Sequence, residues 1–318
     1  MKIVILDGHA VNPGDLSWDI LKPFGDLTVY EYTAPEQTIP RLQGADIALT
    51  NKTILDAKVL DACPDLKLIC VLATGYNVVD CADTRRRGIP VCNVPAYGTA
   101  AVAQFTFALL LELCHKVSHH NKAVHDGRWC SSRDFCFWET PQMELAGKTM
   151  GIIGFGRIGR AVGTIAKAMG MEVIAYNRSR CAEGEAIGTY VDLETLLKTS
   201  DIISLHCPLT DENAGLINEN TLSMMKDGAI LLNTARGPLL DEKAVADALR
   251  SGKLRGAAVD VVSKEPMEYT NPLLTAPNCI ITPHMAWAPT ESRRRIQEIT
   301  ARSIAAFLEG KPINTVNM

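Results

Sequence analysis

The sequence lacks the features that mark disulfide-rich, membrane-spanning and nucleic-acid-binding proteins. Its ten cysteines are scattered and form no C-x-x-C pair, which predicts reduced thiols in a cytoplasmic protein and argues against a metal site. No apolar run approaches the roughly 20 residues that cross a membrane. The net charge of −4 indicates neither nucleic acid nor an anionic membrane as a partner.

The composition is that of a soluble globular protein. Of the 318 residues, 47% are hydrophobic and 21% are charged, so we expect one large or two ordinary domains with a substantial core. The apolar part of the opening stretch, "MKIVILDGHA", is too short for a signal peptide and predicts a first β-strand instead.

Short apolar runs rich in β-branched residues alternate with longer helical patterns, which predicts a parallel α/β fold. A first series of strands is predicted over 2–6, 27–32, 45–50, 66–73 and 90–94. One long buried helix is predicted to follow, over 99–120. A second series of strands is predicted over 149–155, 172–177, 201–207, 229–235, 256–262 and 279–284. Six parallel strands joined by helices make a complete dinucleotide-binding sheet.

The last segment, "TESRRRIQEITARSIAAFLEGKP", has one apolar helical face and ends at Gly310 and Pro312. Because six strands fill the second sheet, this helix is predicted to return to the first lobe. We therefore expect a substrate domain of 1–98 with 286–318 and a cofactor domain of 99–285. The aromatic, irregular segment 126–145 predicts either an interface arm or a loop folded on its own aromatic rings.

The segment "GIIGFGRIGRA" contains a G-x-G-x-x-G motif between a predicted strand and a predicted helix. Gly154 allows a tight turn, Gly156 allows the backbone to approach a pyrophosphate, and Gly159 allows close packing of helix on strand. The free N–H groups of Arg157 and Ile158 at the start of the helix would then bind the phosphates.

Three polar residues follow three predicted strands of the second series. Arg236 follows "AILLNTA", Glu265 lies in "SKEPM", and His284 closes "CIITPH". Strands of a parallel sheet end at one edge, where ligands bind, so the three side chains are expected to converge. The set suits hydride transfer to a 2-keto acid: His284 as the acid, Glu265 to orient it, and Arg236 to hold the carboxylate and keto oxygen.

Other residues at strand ends are candidates for the same site. Asp260 and Thr234 lie at the same edge of the second sheet and would reach the carboxamide or ribose of a cofactor. In the first lobe, the turn Thr74, Gly75 and Tyr76 after the strand 66–73 would bind the substrate carboxylate through its backbone N–H groups. The alternative for this turn is an ordinary connection from strand to helix.

The chain resembles the D-isomer-specific 2-hydroxyacid dehydrogenases over essentially its whole length. The resemblance rests on "GIIGFGRIGRAVG", "SDIISLHCPLTDENAGLI", "MKDGAILLNTARGPLLDE", "AAVDVVSKEP" and "ITPHMAWA". Within the family, "FWETPQMELAGKT" and "ATGYNVVD" are most similar to the glycerate dehydrogenase, or hydroxypyruvate reductase, branch.

This resemblance implies a Rossmann cofactor domain, a flavodoxin-like substrate domain, and a homodimer formed through the cofactor domain. It implies that Arg236, Glu265 and His284 are the catalytic residues, with His284 as proton donor. It also implies cofactor contacts by Arg157, Ile158, His206, Cys207, Pro208, Thr234, Ala235, Arg236 and Asp260.

The stretch "AYNRSR" bears on the choice of cofactor. An acidic residue about 20 positions after the glycine motif binds the ribose 2′-OH of NAD, whereas an arginine accommodates the 2′-phosphate of NADP. Here Asn177, Arg178 and Ser179 occupy that region. We therefore expect NAD(P)(H) as cofactor, with NADPH favoured; the alternative is a neutral contact of Asn177 with NAD.

The leading hypothesis is an NAD(P)-dependent reductase of hydroxypyruvate and glyoxylate. Two alternatives stay open at this point: a dehydrogenase for a bulkier 2-keto acid, and a nucleotide-sensing protein similar to the corepressor branch of the family. No metal is expected under any of these three hypotheses.

Overall fold

The computed structural model describes all 318 residues, which divide into two compact units. The first unit consists of Met1–Gly98 and Trp287–Met318, and the second of Thr99–Ala286. The boundary lies one residue from the expected position at 286. The reason is local, because the backbone N–H of Ala286 donates a hydrogen bond to the Asp260 carboxylate within the second unit.

The first unit is built on a five-stranded parallel sheet. Its strands are β1 (Lys2–Ile5), β2 (Asp26–Val29), β3 (Ile47–Thr50), β4 (Leu68–Val71) and β5 (Val91–Cys92). Their order in the sheet is β2-β1-β3-β4-β5, the order of flavodoxin-like folds. Every residue of β3 and β4 is buried, as expected for strands covered on both faces.

The second unit contains a seven-stranded parallel sheet. Its strands are β6 (Thr149–Ile153), β7 (Glu172–Tyr176), β8 (Thr189–Tyr190), β9 (Ile202–Leu205), β10 (Ala229–Asn233), β11 (Leu254–Val259) and β12 (Cys279–Ile281). Their order is β12-β11-β10-β9-β6-β7-β8, the Rossmann order with one added strand. The expectation of six strands was wrong because it missed β8. This strand has two residues and is too short to give a periodic signal.

Helices cover both sheets. They are α1 (Pro35–Leu42), α2 (Ala57–Ala62), α3 (Cys81–Arg86), α4 (Thr99–His115), α5 (Val117–His125), α6 (Arg157–Ala168), α7 (Ala182–Glu185), α8 (Leu193–Thr199), α9 (Glu219–Met224), α10 (Glu242–Arg250) and α11 (Thr290–Leu308). Several begin where an aspartate carboxylate accepts a hydrogen bond from the first turn, namely at Asp56, Asp80, Asp192 and Asp241.

The single helix expected over 99–120 was wrong, because the chain breaks at Lys116. This residue has a φ of 47°, a left-handed conformation that interrupts the helix and starts α5 in a new direction. No single helix of the structure is long and apolar enough to cross a membrane. The pair α4 and α5 meets that criterion only when taken together across a 56° bend.

Candidate active site

The glycine motif forms the turn between β6 and α6, and each glycine has a different steric reason. Gly154 has a φ of 93°, and a Cβ there would lie 2.3 Å from the backbone nitrogen of Cys207. A Cβ on Gly159 would lie 2.2 Å from the Gly154 carbonyl oxygen. Beside Gly156, by contrast, no atom lies within 4 Å of a Cβ position, which leaves open space above the turn.

This open space lies at the start of α6. Gly156 is the N-cap of the helix and supplies no side chain to bond the first N–H groups, which belong to Arg157 and Ile158. Arg157 is exposed. An uncapped helix start with free space in front of it fits the pyrophosphate of a dinucleotide.

Asn177 connects the glycine turn to the loop after β7. Its Oδ1 accepts a hydrogen bond from the Phe155 backbone N–H at 3.1 Å, and its Nδ2 donates to the Ser179 carbonyl oxygen at 2.7 Å. Arg178 and Ser179 are exposed. The Asn177 amide therefore uses both of its ends to hold the Arg178–Ser179 segment against the glycine turn.

His206, Cys207 and Pro208 follow β9, and the backbone of His206 and Cys207 lies beside Gly154. The His206 Nε2 lies 2.8 Å from the Ser204 hydroxyl oxygen, while its Nδ1 is buried and has no hydrogen-bond partner. Burial lowers the pKa of His206 to about 3, so this imidazole is neutral. His206 is therefore a neutral polar group of the cofactor domain and not a second acid beside His284.

The three candidate catalytic residues follow three neighbouring strands, as the topology requires. Arg236 comes after β10, Glu265 after β11 and His284 after β12. The His284 Nδ1 lies 2.7 Å from the Glu265 Oε2. The other oxygen of this carboxylate accepts from the Val262 N–H at 3.3 Å, so the pair is tied to the end of β11.

Arg236 is exposed, but its backbone is held by a buried neighbour that sequence reasoning missed. Asn233, the last residue of β10, is fully buried. Its Nδ2 donates to the Arg236 carbonyl oxygen at 2.8 Å, and its Oδ1 accepts from the Ala235 N–H at 3.0 Å. The available signal was an asparagine ending the otherwise apolar run "AILLN". The Thr234 hydroxyl lies 3.2 Å from that of Thr106 on α4.

Asp260 organises the turn that carries His284. Its buried carboxylate accepts hydrogen bonds from the Thr282 hydroxyl at 2.6 Å and from the N–H groups of Met285 and Ala286 at 2.9 and 2.8 Å. Burial raises the pKa of Asp260, while these bonds and nearby His284 oppose the shift. His284 itself has a φ of 52°, and its N–H donates to the Asp260 carbonyl oxygen at 2.7 Å.

In the first unit, the turn after β4 has its own internal bonds. The Thr74 hydroxyl donates to the Val94 carbonyl oxygen at 2.9 Å, and the Thr74 carbonyl oxygen accepts from Asn93 Nδ2 at 2.7 Å. These bonds fix the chain in front of Gly75. Tyr76 is 41% exposed and available to a ligand.

Comparison with known proteins decides the family. Residues 107–286 match the model of the D-isomer specific 2-hydroxyacid dehydrogenase NAD-binding domain. The chain belongs to this family. It is a nicotinamide-dependent oxidoreductase, and the fold class and enzyme class expected from the sequence are confirmed.

Two relatives match over nearly their full lengths. The hydroxypyruvate reductase of Blautia hydrogenotrophica is 52% identical, with 100% of each chain covered. The glycerate dehydrogenase of Methylorubrum extorquens is 39% identical, covering 99% of this chain and 98% of the relative. A crystal structure of D-lactate dehydrogenase from Aquifex aeolicus with NAD and lactic acid superposes with a TM-score of 0.85 at 32% identity, covering 100% of this chain and 99% of that one.

Proposed function

We propose that the protein reduces hydroxypyruvate to D-glycerate and glyoxylate to glycolate. The observation that carries this proposal is the pair formed by His284 Nδ1 and Glu265 Oε2, 2.7 Å apart at the edge of the cofactor sheet. The similarity to a hydroxypyruvate reductase over the whole chain supports the choice of substrate.

His284 is the proton donor in this proposal. Because its Nδ1 is engaged by Glu265, the Nε2 is the nitrogen left to give a proton to the keto oxygen. The Glu265 carboxylate orients the ring by accepting from its Nδ1. The bound cofactor, in its reduced form, supplies the hydride that the C2 carbon receives.

Arg236 binds the substrate. A guanidinium offers two parallel N–H donors, which suit a carboxylate together with its neighbouring keto oxygen. Arg236 is exposed and Asn233 fixes its backbone, so the base of the side chain is rigid. Its Nη1 donates to the Ala235 carbonyl oxygen at 2.7 Å, a bond that Arg236 would exchange for the substrate in this proposal. The turn Thr74, Gly75 and Tyr76 is proposed to bind the same carboxylate through its backbone and the exposed tyrosine.

The cofactor domain is proposed to use its glycine turn and strand ends for the dinucleotide. The residues are Gly154, Gly156, Arg157, Ile158, Gly159, Asn177, Arg178, Ser179, His206, Cys207, Pro208, Thr234, Ala235 and Asp260. The uncapped start of α6 and the open space at Gly156 support this assignment.

We further propose a preference for NADPH over NADH. Arg178 and Ser179 are exposed at the end of β7, and no carboxylate stands at position 177 to repel a 2′-phosphate. The Asn177 amide holds the segment that carries both residues. A guanidinium and a hydroxyl on a fixed loop suit a phosphate dianion.

The protein is proposed to form a homodimer through the cofactor domain. The segment 126–145 exposes three large aromatic side chains, Trp129, Phe135 and Trp138, which are 52%, 90% and 68% exposed. Apolar surface of this kind is commonly covered by a partner, and a second copy fits the family. A cytoplasmic location is also proposed, on the basis of cysteines such as Cys63 and Cys114 that serve as core residues.

The direct test is the loss of absorbance of reduced cofactor with hydroxypyruvate, glyoxylate, pyruvate and phenylpyruvate, each with NADH and with NADPH. The expected result is the highest kcat/KM for hydroxypyruvate with NADPH. A higher value for phenylpyruvate would replace the substrate by a bulkier 2-keto acid. Cofactor binding without turnover of any substrate would overturn the enzyme assignment in favour of a nucleotide sensor.

A further inference from the structure

Glu242, the first residue of α10, connects two segments of the proposed active site. Its Oε1 accepts a hydrogen bond from the Ser263 N–H at 2.7 Å, and its Oε2 accepts from the Asn271 Nδ2 at 2.8 Å. Ser263 and Asn271 are the first and last residues of the loop 263–271, which carries Glu265; we call it the acid loop. One carboxylate therefore closes this loop at both ends.

Few side chains of the acid loop are buried, although the Val262 N–H also bonds Glu265. Seven of its nine residues are exposed, and Met267 is the one that packs against the hydrophobic core of the second unit. A loop without buried side chains depends on the hydrogen bonds at its ends for a fixed position. The position of Glu265 opposite His284 therefore depends on the two hydrogen bonds that Glu242 accepts.

Glu242 also belongs to the segment that begins with Arg236. Gly237, the next residue, is buried, and a Cβ there would lie 1.9 Å from the Val262 carbonyl carbon and 2.4 Å from the Ser263 nitrogen. The backbone after Arg236 thus lies directly against the start of the acid loop. The Glu242 bonds fasten the same two segments a few residues further on.

The helix itself does not require the Glu242 carboxylate as its cap. Asp241 is the N-cap of α10, and its Oδ1 accepts from the Ala244 N–H at 3.0 Å. A negative charge in a first turn adds at most a modest dipole stabilisation. The two bonds to the acid loop are what distinguishes Glu242 from an ordinary residue of a helix start.

We propose that Glu242 is a positioning residue: by closing the acid loop at both ends, it holds Glu265 against His284 and fixes that pair relative to the Arg236 segment. The inference rests on the proposed roles of Arg236, Glu265 and His284. Glu242 touches neither substrate nor cofactor in this scheme and acts through the loop alone.

Hydrogen-bond polarity provides the test. In E242Q the amide oxygen can still accept from Ser263, but the amide nitrogen would face the Asn271 Nδ2, donor against donor. The Asn271 amide cannot flip to present its oxygen to the new amide nitrogen without losing another hydrogen bond, because its Oδ1 accepts from the Leu273 N–H at 3.0 Å. N271D alone would set two carboxylates against each other. The double variant E242Q/N271D restores both bonds with donor and acceptor exchanged.

The measurement is kcat for hydroxypyruvate reduction per cofactor-binding site, together with KM and the Kd of the reduced cofactor. We expect kcat to fall about tenfold in E242Q and in N271D, and to return to within about threefold of wild type in the double variant. KM and cofactor Kd should change little, because the groups that bind are untouched. E219Q, a glutamate at the first position of α9, is the matched control and should equal wild type.

The outcomes separate this inference from the proposed function. Wild-type kcat in both single variants, beside an inactive H284A, would overturn the role of Glu242 and leave the catalytic residues standing. Two impaired single variants that the double variant fails to rescue would also overturn it, since the bridge to Asn271 would not be the cause. An active H284A would instead refute the proposed function on which the inference rests.

Discussion

His284 presents its Nδ1 to Glu265 Oε2 at 2.7 Å, although nineteen residues separate the two in sequence. Two sets of hydrogen bonds between carboxylates and backbone N–H groups bring them together. Asp260 folds the turn of His284 through its carboxylate, and the Val262 N–H anchors Glu265 to the end of β11. The pair is thus a product of neighbouring strands β11 and β12, which places an acid–base group at the edge where ligands of such sheets bind.

The first prediction concerns this pair. H284A should lower kcat for hydroxypyruvate reduction by about 10²–10⁴-fold, because a positioned general acid contributes that much. E265Q should lower kcat less, since an amide oxygen can still accept from Nδ1 but carries no charge. Steady-state kinetics with cofactor titration checks both. H125A, in an exposed histidine of α5, is the control; a loss of less than tenfold in H284A would exclude His284 as the acid.

The second prediction concerns the cofactor. R178A should reduce kcat/KM for NADPH by about tenfold to a hundredfold, the range for a lost charge-assisted hydrogen bond, and leave that for NADH nearly unchanged. Initial rates at varied cofactor concentration give both values. R302A, in an exposed arginine of α11, controls for loss of one positive charge. Equal effects on the two cofactors would show that Arg178 does not bind the 2′-phosphate.

Much of the fold could be predicted because its signals are local. Most strands are short apolar runs, and the glycine motif marks the β6–α6 turn by spacing alone. The break at Lys116 could not be predicted, because "CHKVSHH" continues a helical pattern and the left-handed φ of 47° goes with a contact to Asn278, 162 residues away. The two-residue strand β8 exists only through its pairing with β7.

The candidate site divides in the same way. Arg236, Glu265 and His284 could be proposed from their places after three strands, since strand order alone brings such residues to one edge. The residues that hold these three in position could not be proposed from the sequence. Asn233 and Glu242 act through hydrogen bonds whose partners depend on the exact path of the loops, and a lone asparagine or a helix-start glutamate is common in any sequence.

The third prediction concerns Asn233. N233A removes the partners of the Ala235 N–H and the Arg236 carbonyl oxygen, so the free energy of unfolding should fall by about 1–3 kcal/mol. Because the Arg236 backbone is then loose, KM for hydroxypyruvate should rise as well. Urea denaturation and kinetics test the two effects. N220A, in an exposed asparagine of α9, should change stability by less than about 0.5 kcal/mol. Unchanged stability and KM in N233A would contradict the bracing role.

The fourth prediction concerns acid stability of the first unit. The buried Arg293 guanidinium donates two hydrogen bonds to the Asp15 carboxylate, at 2.7 and 2.6 Å, and lowers the pKa of Asp15 to about 2. Since the pKa is lower in the folded than in the unfolded state, the pair stabilises the fold fully above about pH 4 and loses its effect as the pH falls toward 2.

D15N should therefore be less stable than wild type at pH 7. The difference should shrink below pH 4, because the Asp15 carboxyl of the unfolded wild-type chain then takes up a proton while that of the folded chain stays charged until about pH 2. Urea denaturation followed by circular dichroism at pH 7, 4 and 3 measures the difference directly. D26N, in an exposed aspartate of β2, is the control and should show no comparable loss at pH 7. A D15N deficit that stayed constant down to pH 3 would mean that packing around Arg293, rather than its ion pair, stabilises the start of α11.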